Sequence, residues 1–310
     1  MRDAFTKQLT KLAQSDDRIF FITADLGFGV FDDYASQYPN QYLNVGVAEQ
    51  NMIGVATGLG LEGRKVFTYS IANFSTFRCL EQIRNDAAYH EINLTIVASG
   101  GGFTYGGLGM SHHATEDIAI MRALPGVNVV APCTAWEAYH ATRQLSSREG
   151  VGYLRIEKGG TNKPPYKGAK FKIGKSIQLI QGSDITIMAA GGILTECIKA
   201  AELLLKEGIT ARVLSMHTIK PIDKVAITAC AKETKNIITV EEHNKHGGLG
   251  SAVAEVITEY QLDCKLGCVA IDDLYSSIVG SQDYLRKFYK LDHKAIIKKC
   301  KAILDPNDHG

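Results

Sequence analysis

The stretch LTIVASGGGFTYGGLGMSHHATEDIAIMRALPGVNVVAPC, residues 94–133, sets a pattern that the rest of the chain repeats. It opens on LTIVASG (94–100) and closes on VNVVAPC (127–133), two short apolar runs without polar alternation. Between them lie a glycine-rich loop and the helical pattern TEDIAIMRALP. A strand that is apolar throughout is buried on both faces, and strands alternating with helices build a parallel sheet. The alternation extends outward on both sides. RIFFITAD (18–25) and KVFTYS (65–70) come before it and GYLRI (152–156) after. TAWEAYHATRQLSS (134–147) reads as a helix with Thr134 as N-cap and Glu137 three residues on. Residues 1–160 are therefore expected to form a parallel α/β domain.

From Glu157 to Lys175 the composition turns to Gly, Pro and Lys without a period, which predicts a linker, placed at 161–180. Strand and helix patterns then resume with DITIMAAGG (184–192), ILTECIKAAELLLKEG (193–208), ITARVLSMH (209–217), NIITVEEH (236–243) and CVAID (268–272). They predict a second domain over 181–310, and hence a fold of two consecutive α/β domains with mainly parallel sheets.

Composition narrows the function. At 310 residues the chain is long enough for two cores, and 45% hydrophobic with 22% charged residues is an ordinary globular balance. The formal net charge is +1 and no basic stripe stands out, so nucleic acid is not an expected partner. No apolar run reaches membrane-spanning length and the first residues lack an apolar signal core, so no membrane and a cytoplasmic location are expected. Seven scattered cysteines fit reduced thiols. Cys264 and Cys268 form a C-x3-C with no further ligands at zinc spacing, so no metal is expected on this chain.

Four stretches carry candidate chemistry. In NVGVAEQNMIGVATGLG (44–60), Glu49 stands in the first turn of an apolar helix whose Gly54 and Gly58 let another backbone approach. Two readings stay open. The helix dipole favours an acid there by about 0.3–1 kcal/mol. Alternatively Glu49 is a buried acid, and burial lets a carboxyl donate a proton near neutrality. In FTYSIANFSTFRCLEQIRN (67–85), Phe74 and Phe77 share a helical face, as core residues or as stacking partners for a flat ring. The loop from Gly100 to Gly109 holds six glycines and is neither a Walker loop nor a dinucleotide fingerprint. His112, His113, Glu116 and Asp117 follow it; the two acids serve as first-turn residues, and His112 is favoured as a substrate-facing group over a metal ligand. Arg155, near the end of its strand, is read as an anion clamp, with a surface salt bridge as the alternative. His243 and His246, in VEEHNKHGGLG (240–250), are read as packing or interface residues.

NVGVAEQNMIGVATGLG, EQIRNDAAY, SHHATEDIAIMRALPGVNVVAP and SMHTIKPID together resemble the C-terminal half of the transketolase family, over essentially the whole chain. The resemblance implies a pyrimidine-binding domain followed by the family's C-terminal domain, with thiamine diphosphate as cofactor. It places Glu49 at the activating glutamate, hydrogen-bonded to the aminopyrimidine and promoting loss of the proton at the thiazolium C2. It places Phe74, and Phe77 after it, beside the pyrimidine, and Asp25 near the thiazolium. His112 falls on a substrate-contacting histidine at the reacting centre, and Arg155 and Arg2 on phosphate-binding arginines. Gly100 stands where the family has a histidine, Leu108 where it has a sugar-reading acid, and Gly29 where it has a phosphate-contacting serine. These departures imply an altered, modified sugar as donor or acceptor in a specialised pathway.

The family's Mg²⁺-holding G-D-G motif occurs nowhere in the 310 residues. The resemblance therefore implies a split transketolase in which a second subunit carries the G-D-G…N domain and the Mg²⁺, in an α2β2 assembly that transfers a two-carbon ketol unit between sugar phosphates. Three enzymatic alternatives remain: a deoxyxylulose-phosphate-synthase-like enzyme, an acyloin-forming enzyme using a 2-oxoacid, and a 2-oxoacid dehydrogenase β subunit. A non-catalytic partner subunit is the alternative outside enzymes.

Overall fold

The computed structural model describes residues 1–157 and 168–305. The first part runs α1 (Arg2–Ser15), β1 (Ile19–Thr23), α2 (Asp32–Gln37), β2 (Tyr42–Asn44), α3 (Glu49–Leu61), β3 (Lys65–Ile71), α4 (Ala72–Thr76) and α5 (Leu80–Gln82). It continues through a wide helical turn at Ile83–Ala88 to β4 (Leu94–Ser99), α6 (Asp117–Ala123), β5 (Asn128–Val130), α7 (Ala135–Leu145) and β6 (Val151–Ile156). The second part runs β7 (Ile177–Ile180), β8 (Ile185–Ala190), α8 (Leu194–Lys206), β9 (Ala211–Ser215), β10 (Thr218–Lys220), α9 (Lys224–Glu233) and β11 (Asn236–Asn244). It ends with α10 (Leu249–Glu259), β12 (Lys265–Ile271), α11 (Gln282–Phe288) and α12 (His293–Leu304).

Two sheets result. The first has the order β10-β5-β6-β4-β3-β1-β2 and the second β12-β11-β8-β9-β7. Every pairing is parallel except β10 on β5 and β7 on β9. All residues of β4, β6 and β8 are buried, as expected of strands covered on both faces. Much of the expected linker, 161–167, lies outside the described residues, and its last four residues are β7 of the second sheet.

The two sheets share more than a boundary. β10 follows β9 of the second sheet yet pairs with β5 of the first. One apolar core joins Val127, Val129 and Ala131 to Met188, Leu214, Met216, Leu249 and Val253. Backbone bonds cross as well: the Ala131 amide donates to the His217 carbonyl at 2.9 Å, and the Asn244 amide to the Thr115 carbonyl at 2.7 Å.

Glu137 ties α7 to this junction. Thr134 and Glu137 form the expected capping box, and the Glu137 carboxylate also accepts from the Cys133 amide at 2.6 Å and from the Ser215 hydroxyl at 2.7 Å. Burial pushes its pKa from the ordinary 4.5 up to about 7. The folded protein thus holds this proton more tightly than the unfolded chain. That contribution is fully present below pH 4.5 and lost as pH rises to about 7, a change of order 3 kcal/mol. Gln fits the same contacts, its carbonyl toward the two amides and its NH₂ toward Ser215. Glu137→Gln is therefore expected to flatten the melting temperature between these pH values and to raise it above neutrality. A variant that melts lower than wild type at alkaline pH would contradict this account.

Candidate active site

Glu49 opens α3 and is 4% exposed. α3 starts there because the loop before it turns through Asn44, whose side-chain oxygen accepts from the amides of Asp25 and Gly46, each at 3.0 Å. The Glu49 carboxylate meets the guanidinium of Arg78 at 3.2 Å. Arg78 is half exposed, and its guanidinium lies over the face of Phe74, 4.1 Å from the ring centre. His112 meets the same ring edge-on with centroids 5.1 Å apart. Glu49, Phe74 and His112 thus converge, although they come from α3, α4 and the loop before α6.

Arg78 is not among the residues that the sequence singles out. A planar cation that both lies on an aromatic face and donates to a buried carboxylate marks out a slot for a flat ring with a hydrogen-bonding edge. The signal for it is its position four residues after Phe74, the spacing that brings side chains together on a helical face. Beneath the slot, Cys79 donates to the Phe74 carbonyl at 3.3 Å. Burial, then the charge of Glu49, pushes its thiol up to about 12, which keeps it neutral.

Asp25 lies at the carboxyl end of β1 in a left-handed conformation, φ 54°, held by Asn44 through its amide and by a side-chain contact at 3.3 Å. An Asp tolerates that region better than most residues, and a strained residue at a strand end is a common mark of a site. His113 departs from His112. It is buried, its ring bonds the Gly106 carbonyl at 3.2 Å, and burial lowers its pKa. Phe77 is more exposed than Phe74 and lines a separate cleft of about 420 Å³ with Asn73, His113 and Tyr275.

Gly100 has φ +89°, and a Cβ there would meet the ring of Tyr105 at 2.1 Å, so a side chain at this position is strained and requires the Tyr105 ring to shift. Leu108 is 59% exposed. Arg2 and Gly29 line one cleft of about 420 Å³ together with Lys7, Asp33 and Tyr34. The glycine face of α3 is open: no other atom lies within 4 Å of a Cβ built at Gly54 or Gly58.

Arg155 is placed otherwise than expected. It is 1% exposed, which excludes a surface salt bridge, and all its guanidinium nitrogens face protein acceptors. Its Nε donates to Asp117 at 2.9 Å, its Nη2 to the carbonyls of Ala114 and Glu242 at 2.9 and 3.0 Å, and its Nη1 faces Glu157 at 3.5 Å. Glu242 in turn pairs with Arg286 of α11 and accepts from Gln282. The expected anion clamp is a tie between the domains. His243 is a second tie: wholly buried, it accepts from the Ala119 amide at 3.3 Å and bonds the Asn244 carbonyl at 2.7 Å. His246 is exposed.

Fold and site define a pair of α/β domains that present a buried acid and a ring slot near the carboxyl ends of the first sheet's strands. The pyrimidine-binding domain of transketolase matches residues 1–163, and the transketolase C-terminal domain matches residues 174–296. The chain belongs to the transketolase family. Among its relatives, a subunit of the apulose-4-phosphate transketolase of Phocaeicola vulgatus is 37% identical over 98% of this chain and 96% of its own. The 6-deoxy-6-sulfo-D-fructose transketolase subunit of a Clostridium species is 35% identical over 98% of this chain and 94% of its own. A solved structure described as a split gene transketolase, inactive beta4 tetramer, superposes with a TM-score of 0.90 at 34% identity, covering 98% of this chain and 97% of that one. No helix of the described residues is long and apolar enough to cross a membrane.

Proposed function

We propose that this chain is the β-type subunit of a thiamine-diphosphate-dependent split transketolase that moves a two-carbon ketol unit between anionic sugars. The observation that carries this reading is the slot in which Arg78 bridges the buried Glu49 carboxylate and the face of Phe74. The slot fits an aminopyrimidine: Phe74 offers a ring face, and Glu49 a hydrogen-bond acceptor at its edge. Thiamine diphosphate supplies a nucleophilic thiazolium carbon that cleaves and forms bonds beside a carbonyl.

The chain's own residues prepare and use that chemistry. Glu49 would accept a hydrogen bond from the aminopyrimidine and so favour its reactive tautomer. Arg78 keeps that carboxylate paired until the ring arrives. The apolar flank of α3 excludes water, which strengthens the interaction. Asp25 would lie toward the thiazolium of the bound cofactor. His112, half exposed above Phe74, donates to or accepts from the substrate oxygen at the reacting carbon.

The substrate reading rests on the departures. Leu108 and Gly29 offer no side-chain oxygen, so neither contributes a hydroxyl reader. Two relatives are named for a sugar 4-phosphate and a sulfonated fructose, both anionic. Arg2, in the cleft with Gly29, is the candidate anion contact in place of Arg155. The diphosphate and Mg²⁺ belong to a partner subunit with the G-D-G…N domain, in an α2β2 assembly. The open Gly54–Gly58 face supports a further chain docking there, and a solved relative made of β chains alone is described as inactive. Seven free cysteines fit a cytoplasmic, reducing setting.

The test is to recover the tagged chain from its native lysate with thiamine diphosphate and Mg²⁺ present. A stoichiometric second chain bearing G-D-G is expected, with ketol transfer by the pair and none by this chain alone. Tight cofactor binding and turnover by the single chain would overturn the split assignment. Release of carbon dioxide from pyruvate, with no use of a ketose, would overturn the donor.

A further inference from the structure

The outer side of α7 carries a cleft of about 660 Å³ that the proposed reaction does not use, lined in part by Trp136, His140, Arg143, Arg148, Lys170 and Phe171. α7 follows β5 and runs back along the sheet, so Arg143 in its last turn and Arg148 just beyond it lie toward the strands' amino ends. Glu49, Phe74 and His112 gather near the opposite ends.

Two properties of the cleft are independent of each other. First, its charge is one-sided. It has three permanent cations and no carboxylate among its lining residues, and among the described residues none of the three has an ion-pair partner. Arg143 and Arg148 alone would be ordinary helix C-terminal cations, drawn there by the dipole. Lys170 comes from a separate segment and faces the same space. Second, the wall is aromatic. Trp136 and His140 lie 4.5 Å apart, and His140 is nearly parallel to Phe171 with centroids 6.4 Å apart. Gln144 fixes that wall, donating to the Phe171 carbonyl at 2.7 Å and accepting from the Ile173 amide at 2.9 Å. Burial and Arg143 lower the pKa of His140, so the imidazole serves as a neutral stacking surface at physiological pH.

We infer that this cleft is a second ligand site for a nucleoside diphosphate. The base stacks on Trp136, whose ring stands edge-on to the buried Phe171 and beside His140, and the diphosphate meets Arg143, Arg148 and Lys170 through charge-assisted hydrogen bonds. The assignment goes beyond the proposed reaction and needs neither the partner subunit nor turnover.

Trp136 is the only tryptophan in the sequence, so no other indole contributes to the emission that reports on its surroundings. The full chain is titrated with ADP, with inorganic pyrophosphate as the anion-only arm. ADP is expected to change Trp136 emission saturably and to bind more tightly than pyrophosphate. The double variant Arg143→Glu, Arg148→Glu, at two exposed positions, is expected to weaken ADP binding about tenfold or more while keeping the wild-type circular dichroism. Calorimetry with Trp136→Phe checks the affinity without the fluorophore. No saturable response to ADP, or equal affinity in the charge-reversed variant, would overturn the site. Pyrophosphate binding as tightly as ADP would overturn the nucleoside part of it.

Discussion

Glu49→Gln is expected to leave the assembled enzyme folded and to lower its turnover at least about a hundredfold, the scale of a lost acid–base contribution. The substitution keeps size and shape. Its carbonyl still accepts from Arg78, whose guanidinium lies 3.2 Å from the carboxylate in the wild-type protein. What it removes is the negative charge at the start of α3, in a site that is 4% exposed and so little screened by solvent. The loss should fall on kcat, because the charge matters most where a proton moves, whereas KM for the sugar is set elsewhere. The measurement is a kcat and KM comparison on the reconstituted pair, with co-purification of the partner as the control for assembly. Unchanged turnover with normal assembly would mean that this chain completes a site without working in it.

Much of the fold is legible in the sequence because parallel strands covered on both faces are written as continuous apolar runs, as in LTIVAS and ITIMAA. The strands that escape such a reading are β2, β7 and β10. Each has three or four residues, and each lies at the edge of its sheet, beside β1, β9 and β5 respectively. β10 follows β9 of one sheet but joins the other, a choice made by tertiary packing and invisible to local periodicity.

The site shows the same division. Glu49 can be found because an acid opening an apolar helix is a local pattern. Phe74 and His112 can be proposed from a resemblance, but their meeting at 5.1 Å joins a helix and a loop that sequence spacing does not bring together. Arg155 defeats the sequence for a related reason. A strand-end arginine has the same local sequence whether it faces a ligand or protein acceptors, among them a carbonyl of the other domain. Asp117 of α6, Glu157 just beyond its own strand and the Glu242 carbonyl of β11 meet there.

Arg155→Met is the experiment that separates those two faces. As a tie between the domains, Arg155 should be needed for stability: removing one member of a buried ion network costs about 3–5 kcal/mol, because the remaining charges stay desolvated and unpaired. Here the remainder is three carboxylates, Asp117, Glu157 and Glu242, against one guanidinium, Arg286. The cost should also depend on pH. Burial, then the charge of Glu242, already raises the pKa of Glu157, while Arg155 and Arg286 hold it down. A raised carboxylate contributes stability below its unfolded pKa and loses it as pH rises through the folded one. Without Arg155 the folded value rises further, so the variant should be weakest at alkaline pH and recover part of its loss on acidification. Urea unfolding at acidic and alkaline pH reads both effects. The anion-clamp role makes the opposite forecast, a higher KM for an anionic sugar with stability unchanged at every pH. That result would mean that the buried network opens when substrate binds.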